Sequence, residues 1–133
     1  MPHFSGVQPV HFTVTDLTRS TGWYTQVLGL NEGWKMEDPE GHWRKMVLLH
    51  LSEPLRIVLS HHEANDGEAF SEFHTGMDHL AFTVADRDAL EAWLGHFDEL
   101  GVDHSPIKEG ATGWLITFRD PDNIQFEMYT QGK

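Results

Sequence analysis

Apolar residues along the chain recur either at every second position or every three to four positions. The first spacing is typical of half-buried strands and the second of amphipathic helices. One strand pattern occurs twice, since Phe12-Thr-Val-Thr-Asp16 returns as Phe82-Thr-Val-Ala-Asp86. The repeat predicts that the chain consists of two copies of one structural unit.

Each copy of this strand ends in an aspartate that is expected to begin a helix. A carboxylate at that position accepts hydrogen bonds from the free N–H groups of the first helical turn. Helical spacing of apolar residues then runs from Asp16 to Gly29 and from Asp86 to Gly101. Glycine is typical of the residue that ends a helix, so each copy predicts a strand, a capped helix and a glycine stop.

Three further strand patterns follow each helix. They are Gly33–Met36, Arg44–Leu51 and Leu55–His62 in the first half, and Val102–Ile107, Trp114–Arg119 and Ile124–Thr130 in the second. The polar, acidic stretch 63–76 has no periodicity and is interpreted as a linker. The predicted fold class is α+β, a single domain over 1–133 built from two tandem βαβββ units, about 7–62 and 77–130. These are expected to form a curved mixed sheet around a concave cavity, with the helices outside.

The alternation within the strands separates an apolar face from a more polar one. Phe126 and Met128 point to the side expected beneath the helices, whereas Glu127 and Tyr129 point to the other side. Small and polar side chains on that second face are expected to leave room for a ligand. Its candidate site residues are His11, Arg56, Val58, His62, His79, Leu115, Thr117, Glu127 and Tyr129.

Composition excludes several classes of function. Nine Lys and Arg against 21 Asp and Glu give a net charge of −12, which opposes binding to nucleic acid or to an anionic membrane surface. The chain has no cysteine, so disulfides, thiolate nucleophiles and cysteine-ligated zinc are excluded. No apolar run approaches the length of a membrane span, and a cytoplasmic location is expected. Ten histidines remain as candidate metal ligands and proton carriers.

Three motifs together resemble the vicinal oxygen chelate superfamily of glyoxalases, extradiol dioxygenases, fosfomycin-resistance enzymes and bleomycin-resistance proteins. They are the stretch from His11 through Val27-Leu-Gly-Leu30, the strand Gly76-Met-Asp-His-Leu-Ala-Phe-Thr-Val-Ala-Asp86, and Phe118-Arg-Asp-Pro-Asp-Asn-Ile-Gln-Phe-Glu127. The resemblance covers nearly the whole chain in order. It implies the tandem fold, and it leaves the reaction open because this scaffold supports many chemistries.

In metal-containing relatives, the resemblance implies four ligand positions, two in each unit. His79 and Glu127 match the two positions of the second unit, whereas Pro9 and Val58 fall at those of the first. His11 lies two residues beyond Pro9 and is the expected third ligand. This two-histidine, one-carboxylate set suits Fe(II), with Mn, Ni or Zn as other candidates. A structural hydrogen bond between His79 and Glu127 is the alternative.

Two functions are therefore predicted. The first is a metalloenzyme (a dioxygenase, lyase or isomerase) acting on a small substrate with neighbouring oxygens. His62 would carry the proton and Tyr129 would contact substrate, while Arg56, Val58, Leu115 and Thr117 would line the substrate site. The second is a metal-free, bleomycin-resistance-like protein that sequesters an aromatic or cationic compound. In both, the partner is a small molecule, and the resemblance implies a homodimer.

Overall fold

A computed structural model describes the whole chain, from Met1 to Lys133, and its contacts divide it into two compact units, Met1–Glu68 and Ala69–Lys133. The first unit contains β1 (Val10–Thr13), α1 (Leu17–Leu28), β2 (Asn31–Glu37), β3 (Trp43–Leu49) and β4 (Arg56–His62). The second contains β5 (Leu80–Val84), α2 (Arg87–Leu100), β6 (Lys108–Glu109), β7 (Trp114–Arg119) and β8 (Gln125–Thr130). The predicted tandem βαβββ architecture is confirmed.

Both units build a four-stranded mixed sheet with the same connectivity. The strand order is β1-β4-β3-β2 in the first and β5-β8-β7-β6 in the second. In each, the opening strand pairs in parallel with the last strand of the unit, and the remaining pairs are antiparallel. The helix follows the opening strand and leads to the strand at the opposite edge of the sheet. Two parallel neighbours cannot be joined by a tight turn, so the stretch of chain between them, which includes the helix, is long.

The two helices begin at the predicted aspartates. Asp16 accepts a hydrogen bond from the Arg19 amide at 3.0 Å, and Asp86 accepts one from the Ala89 amide at 2.9 Å. Each helix ends at a glycine with positive φ, a conformation that an L side chain disfavours. These glycines are Gly29 (φ 71°) and Gly101 (φ 69°).

The apolar faces pack as the strand alternation predicts. In the second unit, Phe97 of α2 lies against Phe118 of β7, with ring centroids 4.6 Å apart, and Phe118 stacks on Phe126 of β8 at 5.6 Å. The first unit buries Tyr24 of α1 against the sheet in the same way, with Leu48 and Leu59 fully buried. Each unit therefore has its own apolar core between helix and sheet.

The segment that leads into β7 differs from its prediction. A strand was expected over 102–107, but this stretch makes only one isolated bridge, between His104 and Phe118. Pro106 has no N–H to donate, and the Ser105 hydroxyl accepts a hydrogen bond from the Thr117 amide at 2.9 Å in place of a backbone carbonyl. Ladder pairing resumes only at β6, two residues long.

The stretch interpreted as a linker is hydrogen-bonded, through Phe70, to the turn between β7 and β8 of the second unit. The Phe70 amide donates to the Asp122 carbonyl at 2.8 Å, and the Asn123 side chain donates to the Phe70 carbonyl at 3.0 Å. Asn123 itself has a φ of 69°, the left-handed conformation expected at this turn. Neither helix of the chain is long and apolar enough to cross a bilayer.

Candidate functional site

His79 and Glu127 come together in the second unit. His79 directly precedes β5, and Glu127 lies in β8 opposite Ala81, so the parallel pairing of the two strands brings both side chains to the same place. The His79 Nε2 atom is 3.3 Å from the Glu127 Oε2 atom. The Glu127 side chain is only 17% exposed and that of His79 is 36% exposed, so the pair is accessible from one side.

This separation is compatible with two ligands of one metal ion. Nitrogen and oxygen ligands lie about 2.0–2.2 Å from a divalent transition metal, which places two neighbouring ligand atoms roughly 3.0–3.4 Å apart. The same distance also permits a weak hydrogen bond. No group of three or more His, Asp or Glu side chains in the chain is arranged to hold a metal ion. The pair therefore fits as part of a metal site, and further ligands are needed to complete one.

A second carboxylate lies on the other side of the imidazole. The Asp78 Oδ1 atom is 2.7 Å from the His79 Nδ1 atom. The Gln125 side-chain amide donates to the backbone carbonyl and to the Oδ1 atom of Asp78, both at 3.3 Å. Sequence reasoning missed Asp78 because it precedes the strand, where alternation does not define a face. The available signal was its position beside the candidate ligand.

An ion pair continues this chain of contacts. Arg119 donates to the Gln125 side-chain oxygen at 3.1 Å and to both carboxylate oxygens of Glu72 at 2.9 Å. This hydrogen-bonded guanidinium lowers the pKa of Glu72 to about 2, and the carboxylate in turn raises the pKa of Arg119. The contacts run without a break from Glu72 to Glu127.

The remaining candidates of the second unit lie on the same sheet face as Glu127. Thr117 pairs with Glu127 across β7 and β8, and Leu115 pairs with Tyr129. The Tyr129 hydroxyl lies at the loop that joins β6 to β7, where it accepts a hydrogen bond from the Thr112 amide at 3.4 Å. A Cβ atom at Gly110 would clash with this hydroxyl, so the loop is shaped around the phenol.

The first unit has no counterpart of the His79–Glu127 pair. Val10 pairs with Ile57 as Leu80 pairs with Phe126, so Pro9 occupies the position of His79 and Val58 that of Glu127. Val58 is only 3% exposed, although a face open to ligand was expected there. His11 is opposite Val58 on β1.

Two other candidates lie at the ends of β4. Arg56 begins the strand, and its guanidinium lies 5.7 Å from the ring centroid of Trp34 in a cation–π contact. His62 ends the strand opposite Trp43 and is exposed. One cleft of the first unit, about 450 Å³ in volume, lies between α1 and strands β2 and β3, and none of the predicted site residues lines it.

Comparisons with known proteins agree on one family. Residues 4–128 match the family model described as the glyoxalase/bleomycin resistance protein/dioxygenase superfamily. The crystal structure of a domain of that description from Frankia sp. EAN1pec is 31% identical, with a TM-score of 0.86 over 98% of this chain and 94% of that one. A variant of the fosfomycin resistance protein FosX from Listeria monocytogenes, complexed with Mn(II) and a dihydroxypropylphosphonic acid, shares the fold at 20% identity, with a TM-score of 0.69 over 96% of this chain and 93% of that one.

One curated relative bears on reaction type. MhqA of Bacillus subtilis, classed by its name with ring-cleaving dioxygenases, is 28% identical over 129 residues. The alignment covers 97% of this chain, which spans only 40% of the length of MhqA.

Proposed function

Because the chain belongs to the glyoxalase/bleomycin resistance protein/dioxygenase superfamily, we propose that it is a metal-dependent enzyme acting on a small substrate with neighbouring oxygens. The observation that carries the proposal is the approach of His79 Nε2 to Glu127 Oε2 at 3.3 Å, with Asp78 on the opposite ring nitrogen. A histidine whose far nitrogen contacts a carboxylate is the usual arrangement of a metal-ligating imidazole.

The donor set narrows the choice of metal. One imidazole nitrogen and one carboxylate oxygen suit Fe(II), Mn, Ni or Zn, and His11 stays the proposed third ligand. A bound ion would act as a Lewis acid toward neighbouring substrate oxygens. The chain's own contribution is to hold the two donors and to leave space beside them, since Ala81 and Thr117, the neighbours of Glu127 across the sheet, are small.

Ring cleavage of a catechol-like substrate is the proposed reaction class. The name of MhqA describes ring cleavage, whereas the FosX variant was crystallised with a phosphonic acid. A net charge of −12 opposes a phosphonate and favours a neutral or cationic substrate. We retain His62 as the proposed proton carrier and Tyr129 as a proposed substrate contact. Arg56, Val58, Leu115 and Thr117 remain the proposed lining of the substrate site.

A second function is favoured by the first unit. Pro9 and Val58 offer no ligand atom at the positions equivalent to His79 and Glu127. A metal-free protein that sequesters an aromatic or cationic compound needs no such donors. The acidic net charge and the five tryptophans of the chain would attract a planar cation through charge and cation–π contact.

Metal analysis separates these two functions. The protein is purified without added metal and incubated with Fe(II), Mn(II), Ni(II) and Zn(II) in turn under anaerobic conditions. Its metal content per chain is then measured by elemental mass spectrometry. The enzyme proposal expects one ion per chain, lost in His79→Ala and Glu127→Ala and kept in the control His104→Gln. A wild-type protein that retains none of the four metals contradicts the enzyme and leaves sequestration, tested by quenching of tryptophan fluorescence with planar cationic dyes.

We further propose that the chain acts as a homodimer. Because His79 and Glu127 are too few to complete a metal site, ligands from a second copy are one source of the rest. Light scattering after size exclusion is expected to give twice the chain mass, and a monomeric mass at all concentrations contradicts this proposal.

A further inference from the structure

The imidazole of His79 lies between two hydrogen-bond acceptors. Asp78 Oδ1 is 2.7 Å from Nδ1, and Glu127 Oε2 is 3.3 Å from Nε2. A neutral imidazole has a single N–H, so only one of the two carboxylates can accept a hydrogen bond from it. The contact with Asp78 has the length of a charge-assisted hydrogen bond, whereas the contact with Glu127 is longer than such bonds are. The geometry favours placing the hydrogen on Nδ1.

We infer that Asp78 is a positioning residue that holds His79 in the Nδ1–H tautomer, with the unprotonated Nε2 facing Glu127. Two lone-pair donors then face each other with no hydrogen between them, which is the arrangement that a cation between them stabilises. This inference deepens the proposed function and rests on it only for the part that concerns the cation. The tautomer itself is a property of the metal-free protein.

Gln125 keeps Asp78 in its role as acceptor. The side-chain oxygen of Gln125 accepts a hydrogen bond from Arg119 at 3.1 Å, so its NH₂ group must face the other way. There it donates to the carbonyl and to Oδ1 of Asp78. Arg119 is in turn fixed by two hydrogen bonds to Glu72. The orientation of one imidazole is therefore set by a chain of contacts that reaches the segment preceding β5.

The second unit also contains a matched aspartate–histidine pair. His104 Nε2 is 2.6 Å from Asp98 Oδ1, but its Nδ1 is 2.7 Å from the backbone carbonyl of Ser105. Both nitrogens of His104 thus have a short contact with an acceptor, whereas only Nδ1 of His79 does. Asp98→Asn changes an aspartate on a histidine without touching the candidate site and serves as the control.

The tautomer is measured first, in metal-free protein. Long-range ¹H–¹⁵N correlation spectra of histidine-labelled protein at pH 8.5 distinguish a protonated from an unprotonated ring nitrogen. We expect His79 to show Nδ1–H in the wild type and to change to Nε2–H in Asp78→Ala, because Nδ1 then loses its acceptor whereas Glu127 can still accept from Nε2. Asp98→Asn is expected to leave the His79 signals unchanged.

Metal affinity is measured second, with Zn(II) in competition with a chromogenic chelator. Asp78→Ala is expected to weaken Zn(II) binding about 10–100-fold, the usual cost of losing a carboxylate behind a ligating histidine. Gln125→Leu is expected to weaken it less, and Asp98→Asn not at all. Gln125→Leu also provides a second variant should Asp78→Ala fail to fold, which circular dichroism would reveal.

The outcomes separate the two levels of the proposal. An Nε2–H or doubly protonated His79 in the wild type, or an unchanged tautomer in Asp78→Ala, overturns the positioning role. A wild type that binds no Zn(II) but shows the tautomer change upholds the role of Asp78 and overturns the metalloenzyme. Binding that is equally tight in wild type and Asp78→Ala overturns the positioning role and leaves the metalloenzyme intact.

Discussion

The two units have the same backbone plan and different chemistry on their sheets. Val10 pairs with Ile57 in the first unit as Leu80 pairs with Phe126 in the second, so every neighbouring position has a defined counterpart. At those counterparts, Pro9 replaces His79, Val58 replaces Glu127 and Ser60 replaces Tyr129. The first unit has no titratable side chain at these three positions, whereas the second unit has one at each.

The difference shows which part of the plan is constrained. The face beneath each helix must be apolar because helix and sheet bury it, and both units satisfy this with Leu59 and Met128 at comparable depth. The opposite face of each sheet need not be apolar. In the first unit it buries Val47 and Val58, whereas in the second Glu127 and Tyr129 remain partly exposed. The candidate site is thus a difference between two copies that share one fold.

Exchanging the residues at positions 58 and 127 tests this comparison, and it is expected to have the largest effect on the free energy of unfolding. Val58→Glu places a carboxylate without a cationic partner at a site only 3% exposed and is expected to lower the free energy of unfolding by about 3–5 kcal/mol. Glu127→Val, at a partly exposed site, is expected to change it by less than about 1 kcal/mol. Urea unfolding measures both, and equal losses contradict the contrast between the units.

The glycines that end the helices test the shared plan. Gly29→Ala and Gly101→Ala each force an L side chain to a φ near 70° and are expected to cost about 1–2 kcal/mol. Gly22→Ala, inside α1 and with open space around its Cβ position, is the control and is expected to stabilise. A loss at only one of the two terminal glycines, measured by urea unfolding, would show that the helix ends are not equivalent.

The N-terminal caps are expected to have a smaller and equal effect. Asp16→Ala and Asp86→Ala each remove the carboxylate that accepts a first-turn amide, at a cost of about 1 kcal/mol. Asp16→Asn and Asp86→Asn keep an acceptor and are expected to recover most of the loss. Thermal unfolding followed by circular dichroism measures all four variants.

The pH dependence at His104 is the smallest effect and belongs to the second unit alone. The Ser105 carbonyl and then the Asp98 carboxylate raise the pKa of His104 above its usual value near 6.5. A raised pKa in the folded state contributes stability below the unfolded pKa, and the contribution is lost as pH rises through the folded pKa. The stability difference between wild type and Asp98→Asn is therefore expected to be larger at pH 6 than at pH 9. A pH-independent difference in urea unfolding contradicts this assignment.

Local rules were sufficient for much of the fold. Alternation and repeat predicted the two βαβββ units, and the chemistry of helix termini located Asp16, Gly29, Asp86 and Gly101. The prediction of a strand over 102–107 was wrong because Pro106 and the Ser105 hydroxyl interrupt the strand pairing. The pattern of apolar residues contains no information about such an interruption. The acidic stretch before β5 is interpreted as a linker because the residues that it contacts, Asp122 and Asn123, are distant from it in sequence.

The candidate site was predictable only in part. The resemblance to the superfamily assigned His79, Glu127 and the apolar Val58 to ligand positions. The pairing of β1 with β4 places Val58 at the position equivalent to that of Glu127. The chain of contacts through Asp78 and Gln125 depends on side-chain conformations that no spacing rule encodes. The roles of His11, His62 and Arg56 stay predictions.

The parallel pairing of β5 with β8 has a consequence for how the protein is made. His79 stands at the start of the second unit and Glu127 in its last strand, so the pair exists only after the intervening helix and hairpin have been enclosed. Closing so long a stretch of chain is entropically costly and slow compared with local contacts. An ion that needs both residues cannot guide the nascent chain. It can bind to both residues only after Glu127, in the last strand of the unit, has been synthesised.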